Sequence, residues 1–178
     1  PILFIPVLAS GIVIAAYIST HQWPALAGGF YFAVGEAVLQ QFPAAETVPH
    51  YTSDGIRLGM PPFGATVAAV TSALIGPLTT AFVLPSLYVT LSSIAGAYVG
   101  WVYLQTGHPM RMLLASFIGG IIGASPGIIH FHLTAGGTVR ALGYLLYLLT
   151  VGMTIWVFRD NHRNRILWLG ILVGLSVS

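Results

Sequence analysis

Apolar residues fill long blocks of this chain, and polar ones gather in the short breaks between them. A helix needs about 20 apolar residues to cross the hydrocarbon core of a bilayer. On that ruler the blocks predict spans over residues 1–19, 24–42, 63–84, 86–105, 110–131 and 139–158, with a partial seventh starting at 166. The breaks carry turn chemistry: His21-Gln22-Trp23-Pro24, Thr106-Gly107-His108-Pro109 and Thr134-Ala135-Gly136-Gly137. Between the third and fourth spans there is only Leu84-Pro85-Ser86. That leaves almost no loop, so these two are also readable as one long broken element or a re-entrant pair. The one extended polar stretch, 43–62, is rich in proline and glycine and holds Glu46, His50, Asp54 and Arg57. It is too short for a domain and reads as an ordered loop or interfacial segment. The expected fold is all-α: a polytopic transmembrane helical bundle of about six to seven spans with Pro/Gly-broken helices, forming a single integral membrane domain over 1–178.

Composition strengthens this picture. The 178 residues are 56% hydrophobic and 6% charged, with a mean hydropathy of +0.88. Soluble domains carry about 25% charged residues, so this surface is built for lipid or another apolar partner. Every basic residue is an arginine: Arg57, Arg111, Arg140, Arg159, Arg163 and Arg165. Without lysine there is no amine for a Schiff base or a P-loop. Without cysteine there is no thiol catalysis, disulfide or Cys-ligated metal. The net charge of +2 does not point to nucleic acid, because the arginines stand singly or in one short cluster.

That cluster orients the chain. The loop from Arg159 to Arg165 is the densest positive segment and is expected to be cytoplasmic. Counting back through the spans places Arg57 and Arg111 on the same side and leaves Arg140 on the other, with a cytoplasmic amino terminus. The opening residues, Pro1 to Pro6, lack a basic n-region and read as a first membrane helix rather than a secretion signal. The segment from 166 is short for a span, so it is either a half-span or the start of a longer one.

Glycine and proline mark the packing. Gly96/Gly100, Gly119/Gly123/Gly127 and Gly170/Gly174 recur at four-residue spacing, which places them on single helix faces where backbones can approach. Intramolecular packing is the simpler reading, and a seam between protomers is the alternative. Gly76-Pro77 falls within the third predicted span and Ser125-Pro126-Gly127 within the fifth. Such breaks are usually kinks, but transporters also build sites from them. Aromatic residues at the span ends, including Trp101, Trp156 and Trp168, fit an interfacial belt.

Candidate chemistry is sparse. Glu36 is the one carboxylate well inside a predicted span, on a helix face with Gly29, Ala33 and Gln40. That face is expected to point into the bundle, with Arg111 at a depth suited to pairing. Glu36, Gln40 and Arg111 are therefore the candidate proton- or ion-handling residues. Thr79, Thr80 and Ser125, beside the two breaks, are candidates for lining a polar path. His21, His130 and His132 fall near the non-cytoplasmic face and could supply three imidazoles to a metal, although no HxxxH spacing supports it. Gly123-Ala124-Ser125-Pro126-Gly127 matches G-x-S-x-G, but that elbow needs a strand before it, so it reads as a glycine-lined kink. No catalytic residue and no cofactor is expected.

Three functions follow: a small permease or channel for a proton, ion or small solute; a non-catalytic subunit that anchors or completes a larger membrane complex; and an intramembrane enzyme. The last lacks any nucleophile–base constellation. The transport reading leads, since intramembrane ionisable residues mark functional sites by default. The expected partners are the lipid bilayer and either further copies of the chain in a homo-oligomer or other membrane subunits, with no nucleic acid.

Overall fold

The computed structural model describes residues 2–20, 33, 36–37, 39–41, 47–48, 56–57, 62–104, 107, 109–128, 133, 140–159 and 163–177. They form α1 (Phe4–Thr20), α2 (Pro62–Ile75), α3 (Pro77–Tyr103), α4 (Arg111–Gly123), the single turn α5 (Pro126–Ile128), α6 (Arg140–Arg159) and α7 (Arg163–Val177). Ala33, Glu36, Ala37, Leu39 and Gln40 are also helical. One short antiparallel ladder, β1 (Thr47–Val48) on β2 (Ile56–Arg57), sets Thr47 opposite Arg57 within the polar 43–62 stretch.

Among the described residues, three helical stretches are long and apolar enough to cross a membrane: Pro77–Tyr103, Arg111–Ile128 and Arg140–Arg159. The helices Phe4–Thr20, Phe63–Ile75 and Asn164–Leu175 are apolar but shorter. The α3 helix has 27 residues, about 40 Å at 1.5 Å per residue, which exceeds the roughly 30 Å hydrocarbon core.

The boundary between the third and fourth predicted spans moves. The chain runs helically through Pro85 and breaks at Gly76 instead. Gly76 has φ 84° and ψ 152°, a region open essentially to glycine alone. Pro77 then starts α3 with a φ already suited to a first helical position. The break closes on itself: the Gly76 amide donates to the Ser72 carbonyl at 2.9 Å, and the Gly76 carbonyl accepts the Thr80 amide at 3.0 Å and the Thr80 hydroxyl at 2.8 Å.

The long α3 is the centre of the bundle, with α1, α2, α4 and α6 packed on it and α7 packed on α6. Close approaches give the directions. Gly100 faces Ala115 and Ile118 while Gly96 faces Ile122, so α4 runs antiparallel to α3; Gly152 faces Tyr98 while Arg159 reaches Val102, so α6 runs parallel to it. Ile5 lies on Gly120 and Ser10 on Gly123, so α1 runs with α4. One core cluster joins Ala68 of α2, Leu84, Tyr88 and Ala95 of α3, and Ala141, Leu145 and Leu148 of α6. A second joins Tyr17, Val89, Ile128 and Leu133.

The interior is small and the outside is large. Ser10, Thr80, Ser92, Ser93 and Ser116 are buried beside many alanines, while Leu74 is 78% exposed and Phe158 87% exposed. Water-soluble proteins bury their large apolar side chains. The reverse order here fits helices whose outer faces meet lipid and whose inner faces approach through small residues.

Two of the glycine series serve the intramolecular reading. A Cβ on Gly119 would stand 2.5 Å from the Ser93 carbonyl oxygen and 2.8 Å from both Ala97 Cβ and Pro6 Cγ. A Cβ on Gly123 would stand 2.6 Å from Ser93 Oγ, and one on Gly96 would overlap Ile122. Gly170 and Gly174 on α7 face open space.

Serine hydroxyls tie these contacts. Ser93 Oγ lies 2.6 Å from the Gly119 carbonyl and 3.1 Å from that of Pro6, where α1, α3 and α4 meet. Pro6 has no amide hydrogen, which leaves the Ile2 carbonyl one turn earlier without its helical donor. Ser116 Oγ donates to that carbonyl at 2.8 Å.

Candidate functional site

The carboxyl end of α3 presents backbone carbonyls that the helix cannot satisfy. Arginines from two other helices cover them. Arg111, the first residue of α4, donates Nε to the Trp101 carbonyl at 2.9 Å and Nη2 to the same oxygen at 2.5 Å. Its guanidinium carbon sits 3.8 Å from the centre of the Trp101 ring, within cation–π range. Arg159, the last residue of α6, donates to the carbonyls of Val102, Tyr103 and Leu104. Positive charge at a helix carboxyl terminus also complements its dipole. Arg165 of α7 stacks over Trp156 at 4.0 Å.

Arg111, Arg159 and Arg165 thus gather at one end of the bundle, and Arg140 opens α6 at the other. Three of the five arginines expected to share a side, Arg111, Arg159 and Arg165, lie together with Trp101 and Trp156. Removing the Arg159 guanidinium in Arg159→Ala strips three carbonyls of donors at a partly wet site, where water replaces some of the loss. The expected cost is about 1 kcal/mol, read as a lower midpoint for thermal unfolding in detergent. An unchanged midpoint would show that the contact contributes nothing to stability.

Beside this end lies an open apolar cleft of 290 Å³ between α1, α3 and α4. Its wall includes Ile2, Leu3, Ile94, Tyr98, Trp101 and Met112. Arg111 stacks on the Trp101 ring of that wall and precedes Met112 in the chain.

Glu36 and Gln40 are exposed, and Gln40 Nε2 donates to Glu36 Oε1 at 3.3 Å. On the face expected to turn into the bundle, Glu36 and Gln40 thus point outward, while Ala33 is half-buried. Glu36 and Arg111 are not brought together by any recorded bond: Arg111 is committed to Trp101, and Glu36 to Gln40. Four-residue spacing identifies neighbours on a helix but not the side of the bundle they face.

Thr80 is fully buried, its hydroxyl spent on Gly76; Thr79 is exposed in the same turn. Ser125 is half-buried at the second break. There the Ser125 amide donates to the Ile122 carbonyl at 3.2 Å, the group that Pro126 leaves without a helical donor. His21, His130 and His132 lie outside the described residues.

Sequence reasoning missed Ser93 and Ser116 as ties between helices and Arg159 as the cap of α3. Three buried hydroxyls lack partners among the described residues: Tyr88, Ser92 and Thr150. Tyr88 and Ser92 stand one turn apart on α3, and that i, i+4 spacing was the available signal. No protein-family model, curated protein or solved structure matches the chain.

Proposed function

We propose that the chain is a non-catalytic membrane subunit that completes a larger assembly through its Glu36–Gln40 face. The observation that carries this reading is the outward placement of that polar pair. With 24–42 read as a span, Glu36 stands at membrane depth. A lone acidic side chain at a helix centre costs about 2.5–3.5 kcal/mol on insertion scales. A hydrogen-bond donor from another chain offsets that cost, and small open faces such as Gly170/Gly174 suit helix association. On this reading a proton, ion or small solute crosses at the interface between chains, and the chain makes about six to seven crossings. The end bearing Arg111, Arg159 and Arg165 faces the cytoplasm, in line with the positive-inside rule.

The self-contained permease is the weaker reading. Transporter sites use helix breaks whose freed backbone groups face the substrate. At the second break the carbonyl that Pro126 frees, that of Ile122, is engaged by the Ser125 amide, and at the first the Gly76 amide and carbonyl are both bonded within the chain.

Purification from its native membrane in mild detergent is expected to retain either partner chains or a defined homo-oligomer, and Glu36→Leu with Gln40→Leu to alter that association. A monomer that alone moves protons, ions or solutes into liposomes, with flux lost in Glu36→Gln, would reverse the choice in favour of the permease.

A further inference from the structure

We propose that the cleft between α1, α3 and α4 is a binding site for one anionic phospholipid, with an acyl chain in the cleft and the phosphate on Arg111. The cleft is walled by apolar side chains and opens on the outer face of the bundle, where Leu3 is 48% and Met112 46% exposed. Its 290 Å³ lies just under the roughly 300–1,000 Å³ of small-molecule pockets. That is room for a length of hydrocarbon chain but not for a headgroup as well. The headgroup must then sit outside, and what lies beside the cleft is Arg111.

The guanidinium is fixed for this task. Nε and Nη2 hold the Trp101 carbonyl, and the guanidinium carbon lies over the Trp101 ring. An arginine has five N–H donors, and Nη1 makes no bond with another described residue. A planar group held along one edge keeps the other edge preorganised for phosphate oxygens. The position along the bundle agrees. Arg159 and Arg165 gather at the same end, so local charge favours an anion. Basic pockets between membrane helices near the headgroup level hold anionic lipids in this way. Charge complementarity and the apolar wall together select an anionic phospholipid over a free phosphate, which has no use for the cleft, and over a zwitterionic one, whose ammonium offsets the phosphate charge beside the arginines.

The test is native mass spectrometry of the purified full chain titrated with phosphatidylglycerol or phosphatidylcholine of identical acyl chains. Phosphatidylglycerol is expected to be retained about fivefold more strongly, the effect of one arginine near the surface. Arg111→Gln should erase this preference and Arg111→Lys should keep part of it. Met112→Trp, which fills the cleft, should weaken binding of both lipids. Glycerol 3-phosphate, the headgroup chemistry without chains, should not compete. Equal retention of the two lipids by the unaltered protein would overturn the proposal. So would a preference that survives Arg111→Gln, or displacement by glycerol 3-phosphate. If Arg111→Gln does not fold, the unaltered protein, Arg111→Lys and the glycerol 3-phosphate competition decide.

Discussion

Gly119→Leu is expected to yield no monodisperse protein, and Gly119→Ala to be destabilised by about 1–3 kcal/mol, the usual cost of inserting atoms into a packed core. The reason is geometric. A first side-chain carbon at Gly119 meets the Ser93 carbonyl oxygen at 2.5 Å, Ala97 Cβ at 2.8 Å and Pro6 Cγ at 2.8 Å. One of these neighbours is backbone and one a proline ring, and neither can swing aside. Relief therefore needs α4 to move away from α1 and α3, which would also lengthen the Ser93 contact to the Gly119 carbonyl. Size-exclusion profiles and thermal unfolding in detergent report the result. Gly170→Leu is the control, since its position is open. If Gly119→Leu behaved like Gly170→Leu, the three-helix contact described for α1, α3 and α4 would be wrong.

A second large effect is expected at Gly76, and it isolates backbone strain from packing. A Cβ there touches nothing within 4 Å, yet φ is +84°. Gly76→Ala is therefore expected to cost about 1–3 kcal/mol, all of it conformational. Gly143→Ala is the matched comparison: that site is equally open, but it lies inside α6. There alanine should add about 0.5–1 kcal/mol of stability through helix propensity. Opposite signs in the two unfolding midpoints would support a true chain break at Gly76. A stabilised Gly76→Ala would mean that α2 and α3 form one continuous helix.

Gly76 also shows where reading along the chain fell short. Two prolines, Pro77 and Pro85, compete for the break, and both sit in apolar surroundings. A proline in a helix interior weakens it but does not compel a turn, whereas a positive φ at the preceding glycine ends the helix outright. The dipeptide Gly-Pro was the stronger signal; the ruler of about 20 residues obscured it by asking for equal spans. The side that Glu36 faces was hidden for a different reason. Its neighbours at three and four residues were legible, but an apolar, nearly uniform helix surface carries little information about which side faces inward.

By itself the sequence determined the class. Scarce charge and long apolar blocks admit helices that meet lipid, because every backbone polar group must then be satisfied within its own segment. It also placed the arginines at the ends of apolar blocks, since charges avoid hydrocarbon. The tertiary structure alone decided which carbonyls those arginines cap, which glycines are crowded and which are open, and that Arg111 stacks on a wall of an apolar cleft. Each of those facts depends on how one helix is rotated and placed against another. Contacts between residues as far apart in sequence as Pro6 and Ser93 leave no periodic trace in the chain, and so they become visible only once the helices are packed.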